Sequence, residues 1–244
     1  MKYLKYFEDA LAYEAYKNGS DYVLPNVSFI EDVKDVSYDR YIKPQSLYNM
    51  VDLGLPSGLL WADRNIGANN PEDTGLYFAW GETQGYTAEQ VDSRERLFTP
   101  DSYWDLDPET ETYMKYNDSN TLLQPEDDAA TVNMGAEYRM PTKADFQELM
   151  MNTTWSFIDI PNNRKAVKIA SKTSSNYIII PASEAFFGTL GSSNRTNAGT
   201  VWISELLSGY KSARCFDFEY NRSMSINANK ARFSGVPVRG VCNK

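Results

Sequence analysis

Apolar and polar positions alternate in short bursts along most of this chain, and proline, glycine or asparagine breaks the alternation every few residues. That is the pattern of many short strands joined by forced turns. Leu53, Leu55, Leu59 and Trp61 are apolar in near alternation around Pro56-Ser57-Gly58, which predicts two short strands of a hairpin with one buried face. Asn69-Asn70-Pro71-Glu72-Asp73 predicts the next turn, and Leu76, Phe78 and Trp80 a strand stopped by Gly81. Residues 166–169 and 177–181 predict two strands joined by a Ser/Lys/Thr turn, and the continuous run Ile178-Ile179-Ile180 implies cover on both faces. Residues 201–204 resume a strand. Residues 213–220 alternate, with Cys215, Asp217 and Glu219 on one face and Phe216 and Phe218 on the other. Residues 221–230 read as a turn region, and residues 233–242 as the closing strand.

A longer period marks the helices. Phe7, Ala10, Leu11, Glu14 and Ala15 predict a helix over residues 1–19 that stops at Asn18-Gly19. Residues 22–42 alternate as a hairpin, and Lys43-Pro44-Gln45 marks a boundary. The chain therefore divides into an N-terminal helix-hairpin cassette, 1–45, and a main domain, 46–244. Residues 125–131 open a short helix with an aspartate as N-cap, ended by Gly135. A calcium site made by Glu126, Asp127 and Asp128 with loop carbonyls is the competing reading of the same acids. Thr142 with Asp145 makes a variant capping box ahead of the stripe Phe146, Leu149 and Met150, and Arg139 reads as a structural ion pair. Between them, residues 82–128 are polar, acidic and rich in turn formers, a long excursion carrying Trp104, Tyr113 and Tyr116. A loop of this length is either functional or tied down by its own aromatics.

Composition narrows the chemistry. The 244 residues include 42% apolar and 14% aromatic residues, enough for a substantial core. With 24 basic against 33 acidic side chains and a net charge of -9, nucleic acid is excluded as a partner. The absence of histidine removes Ser-His-Asp and Cys-His nucleophiles and most catalytic zinc sites. Cys215 and Cys242 are too few for a disulfide framework, and are read as either free or paired with each other. Carboxylate neighbours such as Glu72 with Asp73 and Asp217 with Glu219 match a glycosidase by residue type, but acids in turns and on strand faces are normally solvated. No apolar run reaches the length of a membrane span, and the charged N-terminus lacks a secretory apolar segment.

Three ordered motifs carry a family resemblance: VDLGLPSGLLWADRNIGA from Val51, PEDTGLYFAWGET from Pro71, and AEYRMPTKADFQELM from Ala136. They resemble the Fibrobacter succinogenes major paralogous domain, a repeat family of surface and secreted proteins of gut bacteria. The resemblance covers roughly residues 47–243 and implies an α+β, C-type lectin-like (formylglycine-generating-enzyme-like) domain of twisted antiparallel strands and about two helices. Val201-Trp202-Ile203-Ser204 and the final Arg239-to-Cys242 strand fit the same pattern. Members often carry a cysteine where this chain has Arg64, so the bridge the family implies is in doubt here. Formylglycine-generating enzymes use two cysteines five residues apart, which this chain lacks, so the resemblance implies no catalysis. The helix-hairpin cassette looks like one found on structural proteins of phages and prophages of gut Bacteroidetes.

What these resemblances imply is a non-enzymatic binding protein on a virion or cell surface that recognises a bacterial glycan or protein receptor. The late loops would carry the site: Ser193, Asn194, Arg195 and Asn197, then Tyr210 and Lys211, then Asn221, Arg222, Asn227 and Asn229. These segments combine adaptable polar groups with aromatic anchors; ordinary surface turns are the other reading. The cassette would dock to other virion proteins, and analogy with virion fibres implies a homotrimer. No cofactor is expected, calcium being left open, and no membrane span. The alternative function is a structural or assembly module with no ligand of its own.

Overall fold

In the computed structural model, the described residues are 48–107, 109–183, 185–188, 190–191 and 196–244, with the short segments 3–4 and 29–30. The chain forms two compact units, Met1–Gln45 and Ser46–Lys244. In the first, strand β1 (Tyr3–Leu4) pairs antiparallel with β2 (Phe29–Ile30). Tyr3 and Leu4 are thus extended, not helical as the periodicity predicts, while the rest of the expected helix and of the returning strand lies outside the described residues.

The second unit is sheet-rich, with antiparallel pairing throughout and few helices. Strand β3 (Met50–Asp52) and β4 (Leu60–Ala62) form a hairpin around the predicted turn, with Val51 opposite Trp61, but Leu53, Leu55 and Leu59, expected in its strands, lie buried in the connection between them. Gly58 turns it at φ 74°, a left-handed conformation that glycine takes without strain, and donates its N–H to the Leu55 carbonyl at 2.9 Å. Strand β5 (Tyr77–Phe78) follows the asparagine turn. The excursion after it holds a short helix α1 (Ala88–Asp92), capped by Thr87 and Gln90, and a hairpin of β6 (Leu106–Asp107) with β7 (Thr112–Tyr113). It is tied down by its own aromatics, since Phe98, Tyr103 and Tyr116 are buried.

Helix α2 (Ala129–Met134) starts as predicted. Asp128 accepts from the backbone N–H groups of Ala130, Thr131 and Met140, and Gly135 ends the helix. The acids read as alternative calcium ligands are all engaged by protein donors. Glu126 accepts from Lys115 Nζ at 2.8 Å, Asp127 from Tyr116 Oη at 2.6 Å, and Asp128 is the cap. Strand β8 (Tyr138–Arg139) then leads to helix α3 (Lys143–Asn152), where Thr142 and Asp145 form the reciprocal capping box. Arg139 Nη1 donates to Asp145 Oδ2 at 2.6 Å, so it is the structural ion pair read from the sequence. Phe146 and Leu149 are fully buried; Met150 is only half-buried.

Burial pushes the Asp145 carboxyl up, but the hydrogen bonds from Arg139 and Thr142 outweigh it and the net shift is downward. The stability this carboxylate contributes is therefore present above the ordinary carboxylate pKa of about 4 and lost as the pH falls below it. Asp145→Asn should lower the melting temperature at neutral pH and leave less to lose on acidification. Parallel acid limbs for the two proteins in a pH-melting series would contradict this.

Three longer strands follow: β9 (Thr153–Ile160), β10 (Arg164–Ser171) and β11 (Tyr177–Pro181), in the order β11-β10-β9. Ile178, Ile179 and Ile180 are all buried, as the continuous apolar run implies. Beyond β12 (Phe186–Phe187) and β13 (Leu190–Gly191) comes the late sheet, β14 (Ala198–Leu206), β15 (Ser212–Glu219) and β16 (Ser223–Ala231), paired in that order. Its two faces enter separate cores. Trp202, Leu206, Ala213 and Cys215 pack with Trp80 and Tyr116, while Val201, Ile203, Phe216 and Phe218 pack with Trp61, Phe146 and Leu149.

Two sequence expectations are corrected here. Residues 221–230, read as a turn region, form most of β16, because Met224, Ile226 and Ala228 alternate toward the sheet between serines and asparagines. The single closing strand is instead two short ones, β17 (Val236–Pro237) paired with β5, and β18 (Val241–Cys242) between β4 and β8. Between them Arg239, fully buried, donates Nε–H to Asn65 Oδ1 at 2.9 Å and Nη1–H to the Ala62 carbonyl at 3.1 Å. This locks the end of the chain to β4. No helix among the described residues is long and apolar enough to cross a membrane.

Candidate functional site

The late sheet has two ends, and the residues read from the sequence as binding groups are divided between them. Asn197, Asn221 and Arg222 lie at one. Tyr220 N–H donates to the Asn197 carbonyl at 2.8 Å, Asn221 turns the β15–β16 connection at φ 57°, and Arg222 pairs with Glu219 at 2.7 Å. Tyr210 and Lys211 lie at the other end, in the β14–β15 connection, about 25 Å away along β15 at ordinary strand rise. Asn227 and Asn229 are exposed on β16, which among the described residues pairs only with β15. Ser193, Asn194 and Arg195 lie outside the described residues. Of the seven that are described, Asn197, Asn221 and Arg222 are separated from Tyr210 and Lys211 by the length of the sheet.

The Tyr210 end is the one built as a site. Gly209 and Tyr210 take left-handed backbone, at φ 86° and 46°, and the Tyr210 N–H donates to the Leu207 carbonyl at 3.0 Å, which makes the connection tight. The excursion packs against it, with the rings of Tyr113 and Tyr210 edge to face at 5.8 Å. Behind both stands Arg232, with no exposed side-chain surface, paired with an equally buried Asp105. Arg232 also donates to the carbonyls of Tyr116 at 2.8 Å and Tyr210 at 3.4 Å, and to Tyr103 Oη at 3.2 Å. Its guanidinium lies 4.1 Å from the centre of the Tyr113 ring and 5.2 Å from that of Trp80. Asp105 in turn accepts from the Lys115 and Tyr116 N–H groups and so shapes the turn after β7. One ion pair thus fixes excursion, hairpin and the segment after β16 in a single arrangement.

On this support opens a groove of about 300 Å³, lined by Asp101, Glu111, Tyr113, Lys211 and Phe233 together with Pro100 and Leu106. Phe187, 59% exposed, extends the aromatic surface against Phe233 at 5.0 Å. Burial pushes the Tyr113 phenol up, so it stays a neutral hydroxyl at physiological pH. Among the described residues, Asp101, Glu111 and Lys211 make no ion pair and no side-chain hydrogen bond, although all three are exposed. A larger groove of about 840 Å³ includes Asp118, Glu205, Ser208 and Arg214. Its charges are already engaged: Asp118 accepts from Gly209 N–H, and Glu205 accepts from Lys143 N–H and pairs with Arg214 at 3.7 Å.

Neither the two cysteines nor the Asp217 and Glu219 carboxylates line the groove beside Lys211. Both cysteines are free and buried. Burial pushes the Cys215 thiol up to about 12, helped by Asp217, and raises Cys242 as well, so neither is a thiolate at neutral pH. Asp217 pairs with Lys230 at 3.1 Å and Glu219 with Arg222. Among the described residues no three metal-binding side chains converge.

Sequence reasoning singled out Tyr210, Lys211 and the aromatics of the excursion. It missed Asp101 and Glu111, which look like ordinary turn and loop residues, and Phe233, which reads as the start of the closing strand, and it missed Arg232 and Asp105, which are brought together only by the fold. Comparison with protein-family models, with curated proteins and with solved structures finds no match for this chain.

Proposed function

We propose that this chain is a non-enzymatic binding protein of a virion or cell surface, recognising a bacterial glycan or protein receptor through the groove beside Tyr210 and Lys211. The observation that carries the proposal is the convergence of three uncommitted charges, Asp101, Glu111 and Lys211, on an aromatic-walled groove held rigid from behind by a buried ion pair. Preorganised aromatic surface with a few free polar groups is how binding sites achieve affinity without ordering costs. The charges of the larger groove, Asp118, Glu205 and Arg214, are already engaged and would have to give up a partner to bind.

The sequence motifs support a C-type lectin-like reading of the main domain. The strands of the first motif and the closing arginine-to-cysteine segment share one sheet, in the order β3-β4-β18-β8, and the third motif supplies β8 and helix α3. On the separate resemblance of the N-terminal cassette to one on phage structural proteins, the unit Met1–Gln45 docks to other virion proteins, and on analogy with virion fibres the assembly is a homotrimer.

The test is binding of the purified protein to a panel of whole gut-bacterial cells. Lys211→Ala and Tyr113→Ala should each weaken binding at least about tenfold, the loss expected when an interface anchor is removed. Lys211 is exposed, so its variant should melt like the parent. A folded parent that binds no strain, alone or oligomerised, would favour a structural module with no ligand.

A further inference from the structure

We infer that the groove beside Lys211 seats a single neutral pyranose ring and rejects sugar acids. The inference rests on the binding reading above and names the chemistry of its ligand. Size is the first reason: about 300 Å³ lies at the lower edge of ligand pockets, room for one ring and not for a chain of them. The walls are the second. Tyr113 and Phe233 offer flat apolar surface, and one face of a pyranose is a plane of C–H groups that packs on such rings while its hydroxyls point to the rim.

Charge decides among the ligands that would fit. Asp101 and Glu111 can accept only, and Lys211 can donate only, so together they meet a ligand with both kinds of group at its edge. A hydroxyl is donor and acceptor at once, and a neutral polyol therefore uses all three side chains. A uronate would gain the Lys211 ammonium but bring its carboxylate beside two acids, with Asp107 at the end of β6, Glu109 in the turn after it and a chain of net charge -9 around them. A cationic ligand would be attracted by the two acids and repelled by the Lys211 ammonium, and so would use two of the three side chains where a neutral polyol uses all three. No rearrangement is needed for the neutral case, because none of the three charges has an internal partner to give up among the described residues.

The experiment is saturation-transfer NMR on the full chain with the methyl glycosides of neutral hexoses and of the matching hexuronic acids. The expected result is saturation of neutral glycosides and at least about tenfold weaker binding of the uronides. Asp101→Asn with Glu111→Gln, two exposed and unpaired positions, should keep the melting temperature and raise uronide binding toward that of the neutral sugars. Equal or preferred binding of uronides by the parent would overturn the inference. So would the absence of any sugar signal from a protein whose cell binding is lost in Lys211→Ala, a result that leaves the binding reading intact and points to a protein receptor. Cell binding untouched by Lys211→Ala overturns both.

Discussion

Arg232→Ala is expected to lower the stability of the main domain by about 3–5 kcal/mol, the cost of leaving one partner of a buried ion pair alone. At about 2–4 °C per kcal/mol for a domain of this size, the melting temperature should fall by about 6–20 °C. The reason is the number of things one side chain does. Arg232 and Asp105 have no exposed side-chain surface, so truncation strands the carboxylate in the core. It also removes the donors to the Tyr116 and Tyr210 carbonyls and the cation beneath the Tyr113 ring. The excursion and the hairpin lose their common anchor, and receptor binding should fall with stability. Replacing both partners, as Arg232→Met with Asp105→Leu, should recover part of the stability, because no charge is then left buried. A urea-unfolding series in which Arg232→Ala stays within about 1 kcal/mol of the parent would refute this account of the pair.

Trp80→Ala should cost about 3–5 kcal/mol, the range for truncating a large core aromatic. Trp80 is fully buried and donates Nε1–H to the Ile203 carbonyl at 2.9 Å; Trp202 answers from β14 with a bond to the Phe78 carbonyl at 2.8 Å. Two indoles therefore staple the segment around β5 to the late sheet from both sides. Trp80→Phe separates the two contributions: it keeps most of the volume but leaves the Ile203 carbonyl without its donor, which should cost about 1–3 kcal/mol. If the phenylalanine variant were as unstable as the alanine variant, packing would not be the larger part of what Trp80 supplies.

Much of this architecture was legible in the residues, and its legibility follows from distance along the chain. The Pro56-Ser57-Gly58 turn, the Asp128 cap and the Thr142–Asp145 box are local devices, set by neighbours within about a dozen residues; the two caps form as read, and the turn closes a hairpin whose strands begin further from it than the leucine alternation implies. Strand β16 was hidden because serine and asparagine, ordinary turn formers, fill its exposed positions while Met224, Ile226 and Ala228 keep a period of two beneath them. Strand β9 carried no expectation at all. Its apolar positions change phase midway, Trp155 and Phe157 packing on one core and Ile158 and Ile160 on another, so no single alternation runs its length.

The candidate site was half legible for the same reason. Tyr210 and Lys211 share a turn and stood out by type. Asp105 with Arg232, and Glu111 with Lys211, join segments 127 and about 100 residues apart, and long-range pairing of this kind leaves no trace in a single sequence. Asn197, Asn221 and Arg222 lie apart from Tyr210, because residues from successive turns of a meander alternate between the two ends of the sheet.

That division gives the most direct test of the central claim. Binding to a receptor-positive strain should be measured side by side for Lys211→Ala and Glu111→Ala, at the groove, and for Asn197→Ala and Asn221→Ala, at the far end of the same sheet. The account predicts that both groove variants lose binding at least about tenfold while both far-end variants match the parent in binding; three of the four should melt normally, and Asn221→Ala about 2–4 °C lower because alanine is strained at its left-handed φ of 57°. Loss confined to Asn197→Ala and Asn221→Ala would contradict it and move the receptor site to the opposite end of the sheet.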